Sequence, residues 1–410
     1  MTPTSLAACE RDPSSSRVLS ALVAGYVALL PYQFQVDPKI NFAPADCLMV
    51  LVLVLAAGQL MYRQHAWTVW HFALAGAFLT SSLVAAIRFG TLEQYELLNK
   101  DAGLVLPFLS YAAITTAVVE WTDIRRILRV FTLSVVIENV AALCGFLASY
   151  FFGFANPFAQ YGGLRLSGML LDPNAYGGIL AMALILLEGS SWGPQPLFRG
   201  LPFWVCRITL GLGLILTFSR SAWVALGLSL VVLALLKIRL AGRLMLTLAI
   251  VAPCLLLVMG TRFLPIFEQM ASRPKQVQGR FDLIHDAYGN FVQHPFFGGG
   301  IGSFRLSEGE IAHNTAMWFL ADFGVVGLII LLGFLGWFFV KGWFSYRLAP
   351  PSERPIALAL LLAHTSMLGL AMGIEAFYQR HWWMVFGLIA AGYSLALRRI
   401  GANQPTRLVE

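Results

Sequence analysis

Twelve stretches of this chain stay apolar over close to the length of a membrane-crossing helix, about 20 residues. They lie near 18–33, 45–62, 66–87, 102–119, 128–152, 175–190, 203–218, 222–237, 244–260, 314–340, 356–373 and 383–398. No soluble fold can hide so many runs without a polar face, and in lipid only a helix or a closed barrel satisfies the backbone. The runs are continuous rather than alternating, which excludes a barrel. Only 12% of the residues are charged and 58% are hydrophobic, whereas soluble domains are about a quarter charged. A soluble enzyme, a disordered chain, a coiled coil and a disulfide scaffold are thereby excluded. The expectation is an all-α polytopic integral membrane protein with about 12 transmembrane helices.

The organisation follows from the spacing of the runs. Residues 1–160 hold spans one to five, 161–260 spans six to nine, and 314–410 spans ten to twelve with a tail. Between them, 261–313 is polar and punctuated by Pro and Gly, and a long loop of this kind is usually functional. The apolar run after Arg11 and Arg17 lacks a small-residue cleavage site and reads as a first span rather than a signal peptide. Lys and Arg set the orientation. Most of the 28 fall on one side, among them Arg125, Arg126, Arg129, Arg243, Lys341, Arg347, Arg398 and Arg399. That side is expected to be cytoplasmic, with both termini inside. The long loop then faces out, which in a bacterium with an inner membrane would be the periplasm.

The net charge of +7 contains no basic run. It fits loops that face anionic membrane lipids, and no nucleic-acid partner is expected. The five cysteines form no CxxC and read as free thiols.

Arg165, Arg220, Arg280, Arg305 and Arg380 fall on the outer side, against the charge bias, and so require a reason. Arg220 stands in Thr217-Phe-Ser-Arg-Ser-Ala-Trp223, a tight turn between spans seven and eight. Ser221 there can cap span eight. A guanidinium at a helix start suits a phosphate; the alternative is an interfacial arginine reaching lipid headgroups. Asp172 and Asn174 open span six around Pro173, either as a plain helix start or as part of a site that Arg165 approaches. His313-Asn314 opens span ten, where a neutral histidine can serve as a base or simply form part of an N-terminal polar cap. Glu375, Arg380 and His381 share that face.

Within the long loop, 280–294 reads as an amphipathic helix. Phe281, Ile284, Tyr288, Phe291 and Val292 lie on one side, which would rest on the membrane surface or on the bundle. Asp282, His285 and Asp286 have a spacing that permits a metal, but the ligand set is incomplete and a solvated face is the better reading. Gly298-Gly-Gly-Ile-Gly302 lacks the strand and lysine of a P-loop and reads as a flexible turn. Together, the outer helix starts and the arginines describe a hollow for an anionic headgroup under the long loop. A lipid-linked diphosphate has the matching shape and charge.

Three motifs carry a resemblance to the O-antigen ligase family, over roughly residues 160–390. Gln293-His-Pro-Phe-Phe-Gly-Gly-Gly-Ile-Gly-Ser303 is similar to the family's loop tail. His313-Asn314, nine residues, then Gly324-Val-Val-Gly327 resembles the ligase spacing, and Ser219-Arg-Ser221 resembles the family's turn. Ile284 departs from the Leu that often follows the loop arginine in ligases. The resemblance implies a GT-C-like, metal-independent, inverting glycosyltransferase without a cofactor. Its donor would be a glycan on undecaprenyl diphosphate and its acceptor a hydroxyl of lipid A–core or of another glycan. His313 would be the general base, and Arg220 and Arg280 would hold the diphosphate. Arg165, Asp172, Asn174, Asn314 and Arg380 would bind substrate. Two alternatives stand beside the ligase: a polymerase of O-antigen, capsule or exopolysaccharide repeats, and a transporter of lipid-linked sugars. The transporter would place its charges near the midplane on broken helices.

Overall fold

The computed structural model describes residues 13–37, 40–60, 67–90, 95–160, 165–260, 264, 268–269 and 274–402. Arg11, one of the five cysteines (Cys9) and most of 261–273 lie outside the described residues.

Helices dominate. They are α1 (Pro13–Ala28), α2 (Pro44–Leu60), α3 (Val69–Phe89), α4 (Tyr95–Ala117) and α5 (Trp121–Phe152), then α6 (Pro173–Ser190), α7 (Gly200–Leu216) and α8 (Arg220–Met259). After the loop come α9 (Pro274–Gln293), α10 (Ser303–Glu308), α11 (Thr315–Leu348), α12 (Arg354–Ala371) and α13 (Arg380–Ala402). Each apolar run of the sequence falls on one of these helices. Among the described residues, six helices, α3, α5 and α12 included, are long and apolar enough to cross a membrane, and four shorter apolar helices accompany them. The protein is therefore a helical polytopic membrane protein. Two small antiparallel hairpins interrupt the helices. One pairs Phe34–Asp37 with Ile40–Phe42, and the other pairs Ala159–Gln160 with Arg165–Leu166. The second hairpin places Arg165.

The centre of the bundle is α6, whose residues from Ala175 to Ser190 are all buried. It is apolar all round, as a helix enclosed by others must be, and it packs on α8 and α12. Close crossing depends on missing side chains. A Cβ on Gly177 would lie 2.7 Å from that of Ala222, and one on Gly369 would lie 2.7 Å from the Cα of Ala225. Small residues at crossings let helix backbones approach in lipid, where packing replaces the hydrophobic effect.

Two helices break, with different results. In α8, Lys237 leaves helical geometry at φ −150°, ψ 65°. Ser219 before this helix bonds to Asn174 at the start of α6, whereas Arg243 bonds to Glu188 near the end of α6. Met259 at the far end of α8 accepts from Tyr150, close to the end of α5. The chain thus crosses the bundle, turns at Lys237 and returns, so apolar runs eight and nine are two arms of one hairpin. In α11, Gly324 breaks the helix at φ 68°, and the loop fills the gap. Val325 N donates to Pro295 O at 2.9 Å and Val326 N to Phe296 O at 3.2 Å.

The glycine run 298–302 is a turn, as expected, but a packed one. Gly299 N donates to Ala321 O, Gly300 N to Asp322 O and Ile301 N to Ser81 O. Arg88 Nη1 donates to Gly299 O at 2.8 Å. A Cβ on Gly300 would lie 2.6 Å from the Ala85 backbone. These glycines serve contact with neighbouring backbone.

Candidate active site

Three helix starts meet at one end of the bundle. Asp172 caps α6, accepting from Asn174 N at 2.9 Å and Ala175 N at 3.4 Å. Ser219 caps α8 through Ala222 N, and Asn314 caps α11 through Ala316 N and Met317 N. Ser221, expected as the cap of α8, is instead in the first turn, two residues past the true cap, and is reached by Arg280 Nη1 at 3.4 Å. The residue before each cap has a positive φ: Leu171 at 66°, Phe218 at 48° and His313 at 49°. Among the described residues these are the non-glycines in that region. Such strain persists only where the surroundings over-determine it, and it concentrates at functional sites.

Hydrogen bonds stitch the first two starts together. Arg165 Nε donates to Thr217 O at 2.9 Å and its Nη2 to Asn174 Oδ1 at 3.1 Å. Ser219 Oγ donates to the same Asn174 oxygen at 3.1 Å. The third start is fixed from the connection between α12 and α13. Asn314 Nδ2 donates to Met372 O, Thr315 Oγ1 donates to Ile374 O, and Ala312 N donates to Glu375 Oε1 at 3.1 Å. His313 is thus held on both sides by its neighbours' bonds.

Between these elements lies a cavity of about 710 Å³, lined by Arg165, Asn174, Arg280, Arg305, Glu310 and His313 among others. Ligand pockets are typically about 300–1,000 Å³. Its lining brings together three arginines and a histidine and includes one carboxylate, Glu310. The Nδ1 atom of His313 is buried without a hydrogen-bond partner. Burial, and then the Arg280 guanidinium, push the His313 pKa below the ordinary histidine value, while Asp172 and Glu310 pull it part of the way back. The imidazole is therefore neutral at neutral pH, with a lone pair available to take a proton.

The structure sorts the residues named from the sequence. Arg165, Asn174, Arg280 and His313 line the cavity. Asp172 and Asn314 are caps that orient its walls. Arg220 is the first residue of α8, half-buried, and is not part of the lining. Arg380 lies elsewhere, its Nε 2.6 Å from Asp46 Oδ1 in a two-pronged pair that ties α13 to α2. Asp282 and His285 are exposed on α9 outside the lining. Sequence reasoning missed Glu310 as a lining residue and treated Arg305 only as an arginine on the unexpected side. That exception to the charge bias was its one legible signal.

Fold and site together describe a multi-pass membrane protein with a basic cavity, lined in part by a histidine, at one end of its helices. The family model for O-antigen ligase matches residues 206–332. This stretch contains Arg220, Arg280, Arg305 and His313, and over it the chain is similar to the O-antigen ligase domain, as the three motifs indicated. The match supports a function of O-antigen ligase or polymerase type in general. No curated protein matches the chain.

Proposed function

We propose that the protein is an O-antigen ligase-type glycosyltransferase. It transfers a glycan from undecaprenyl diphosphate to a hydroxyl of lipid A–core at the periplasmic face of a bacterial inner membrane. The single observation that carries this reading is a histidine with an unpartnered ring nitrogen, in one cavity with Arg165, Arg280 and Arg305.

Each part of the cavity has a task in that reaction. The acceptor O–H gives its proton to His313, and the acceptor oxygen attacks the anomeric carbon of the donor glycan. The bond from that carbon to the diphosphate oxygen breaks, and the diphosphate leaves with the electron pair. Arg280 and Arg165 offset the charge that grows on the leaving group, which is the electrostatic stabilisation such transfers depend on. Arg220 assists from the N-terminus of α8, between Ser219 and Ser221. The diphosphate is already a good leaving group, so one base and several cations suffice and no metal is required. In the membrane, this reading has about 12 spans, both termini in the cytoplasm, and α9 with its loop on the periplasmic side.

The transporter alternative loses support at the break in α11. That break is occupied by the backbone of Pro295 and Phe296, whereas a transporter uses such breaks to hold substrate.

The test is a chromosomal deletion complemented with wild type or His313→Ala, with lipopolysaccharide and secreted polysaccharide resolved on gels. The expected result is loss of the long-chain ladder from lipid A–core while lipid-linked polymer accumulates, rescued by wild type alone. Lipopolysaccharide capped with a single repeat, or loss of a secreted polymer with lipopolysaccharide intact, would instead make it a polymerase. Full rescue by His313→Ala would remove the histidine from the chemistry.

A further inference from the structure

Asp322 is a carboxylate on a membrane helix with no solvent exposure. A charge buried that deeply is sustained only by a complete set of donors, and Asp322 has four. Its Oδ1 accepts from Ser303 Oγ and Phe304 N, both at 3.0 Å. Its Oδ2 accepts from Gly302 N at 2.7 Å and Trp318 Nε1 at 2.8 Å. Three of the donors belong to the end of the long loop and the start of α10. The fourth lies one turn back along α11, near the helix start that follows His313. One side chain therefore joins α10 to the helix that His313 precedes.

The element held in this way carries Arg305, which lines the cavity. Ser303–Glu308 is a helix of only 6 residues, too short to be stable by itself. Its position relative to His313 depends on what it is attached to. Phe304 is buried, and Gly309 ends the helix by donating to Arg305 O at 2.9 Å. The polar anchor at its other end is Asp322.

We propose that Arg305 is a further arginine that binds the anionic diphosphate of the donor, and that Asp322 is its positioning residue. This assignment rests on the reading of the cavity as a transferase site. The amide of Asn could not replace Asp322. Whichever way it turned, its NH2 would face a backbone or indole N–H, because each carboxylate oxygen receives at least one such donor.

The experiment uses the full chain in nanodiscs. It measures transfer kinetics with the lipid-linked donor and, separately, the Kd for inorganic pyrophosphate. Arg305→Ala is expected to raise donor KM and pyrophosphate Kd by about tenfold, the scale of one charge-assisted hydrogen bond, with kcat within about twofold. Arg305→Lys recovers part of that loss. Asp322→Asn reproduces the KM shift, and adding it to Arg305→Ala changes KM little further, because both act on one contact. If Asp322→Asn does not fold, Ser303→Ala and Trp318→Phe each remove one of its donors. Each is then expected to raise KM by about two- to threefold.

Wild-type KM and Kd in Arg305→Ala would overturn the assignment while leaving the transferase reading intact. A raised KM in Arg305→Ala with wild-type KM in Asp322→Asn, Ser303→Ala and Trp318→Phe would overturn the positioning role. A wild-type protein that binds pyrophosphate through Arg305 yet transfers nothing would overturn the transferase reading and keep the anion site. One that does neither would overturn both.

Discussion

The two ends of the helix bundle treat charge differently, although the Arg380–Asp46 pair closes near the start of α13 as well. At the end away from the cavity, carboxylates close onto arginines. Arg125 Nη1 lies 2.8 Å from Glu353 Oε2, with side chains only 7% and 11% exposed. Glu188, fully buried, takes Arg243 at 2.7 Å and Arg207 at 3.5 Å. Lys237 stacks 3.9 Å above the Trp192 ring. These groups tie helix ends together: α5 to α12, and α6 to α7 and α8. At the cavity end, Arg165, Arg280 and Arg305 gather around a hollow whose lining includes the single carboxylate Glu310. There the backbone is strained at Leu171, Phe218 and His313. The lesson is that composition alone does not separate structural from functional arginines. A closed ion pair fixes two helices, whereas arginines lining a cavity can also offer donors to a ligand.

That contrast can be broken most sharply at His313. His313→Ala is expected to lower transfer by about 10²–10⁴-fold, the usual worth of a general base, with an unchanged melting temperature. A comparable loss of stability would make His313 a structural residue like those at the other end. The converse substitution is Arg125→Ala. Removing one partner of a buried pair costs about 3–5 kcal/mol. Thermal melting should show that loss, while turnover per folded molecule stays at the wild-type level. A specific loss of kcat in Arg125→Ala would erase the distinction between the ends.

A finer probe is acidity. The pKa of His313 is depressed by burial and by Arg280, so its base form survives to lower pH than a free histidine's. Transfer should fall as pH drops through a midpoint below about 6.5, the ordinary histidine value. In Arg280→Ala that midpoint should move upward, because a positive neighbour has been removed. A midpoint that stays put would show that Arg280 does not act on the imidazole. The smallest effect belongs to the cap: Asn314→Ala is expected to cost about 1 kcal/mol, seen as a modest drop in melting temperature.

The elements were the most legible part of the sequence. Each apolar run became a helix because runs of that length leave the backbone no other way to satisfy itself in lipid. The Asp172 cap and the Pro173 helix start were equally plain, since both follow from contacts within a few residues. The site was legible in part. Arg165, Arg280 and His313 stood out as polar groups on the side expected to be outer, and the structure places all three on one cavity. Arg380 stood out for the same reason, but its partner is Asp46, distant in sequence. The choice of Ser221 over Ser219 as a cap failed because either serine fits the local pattern, and the turn geometry at Phe218 selects between them.

What the sequence by itself determined is the set of helices, the end of the bundle that carries the unusual arginines, and the family motifs. All of these depend on local hydrophobicity, charge counts and short spacings. Only the tertiary structure decided that 220–259 folds back at Lys237, that Gly324 breaks α11 to admit the loop, and that Asp322 holds Arg305 beside the cavity. Each of these is settled by packing between segments far apart in the chain. Asp322 read as one polar residue in an apolar run until its donors at Gly302, Ser303 and Phe304 were brought to it.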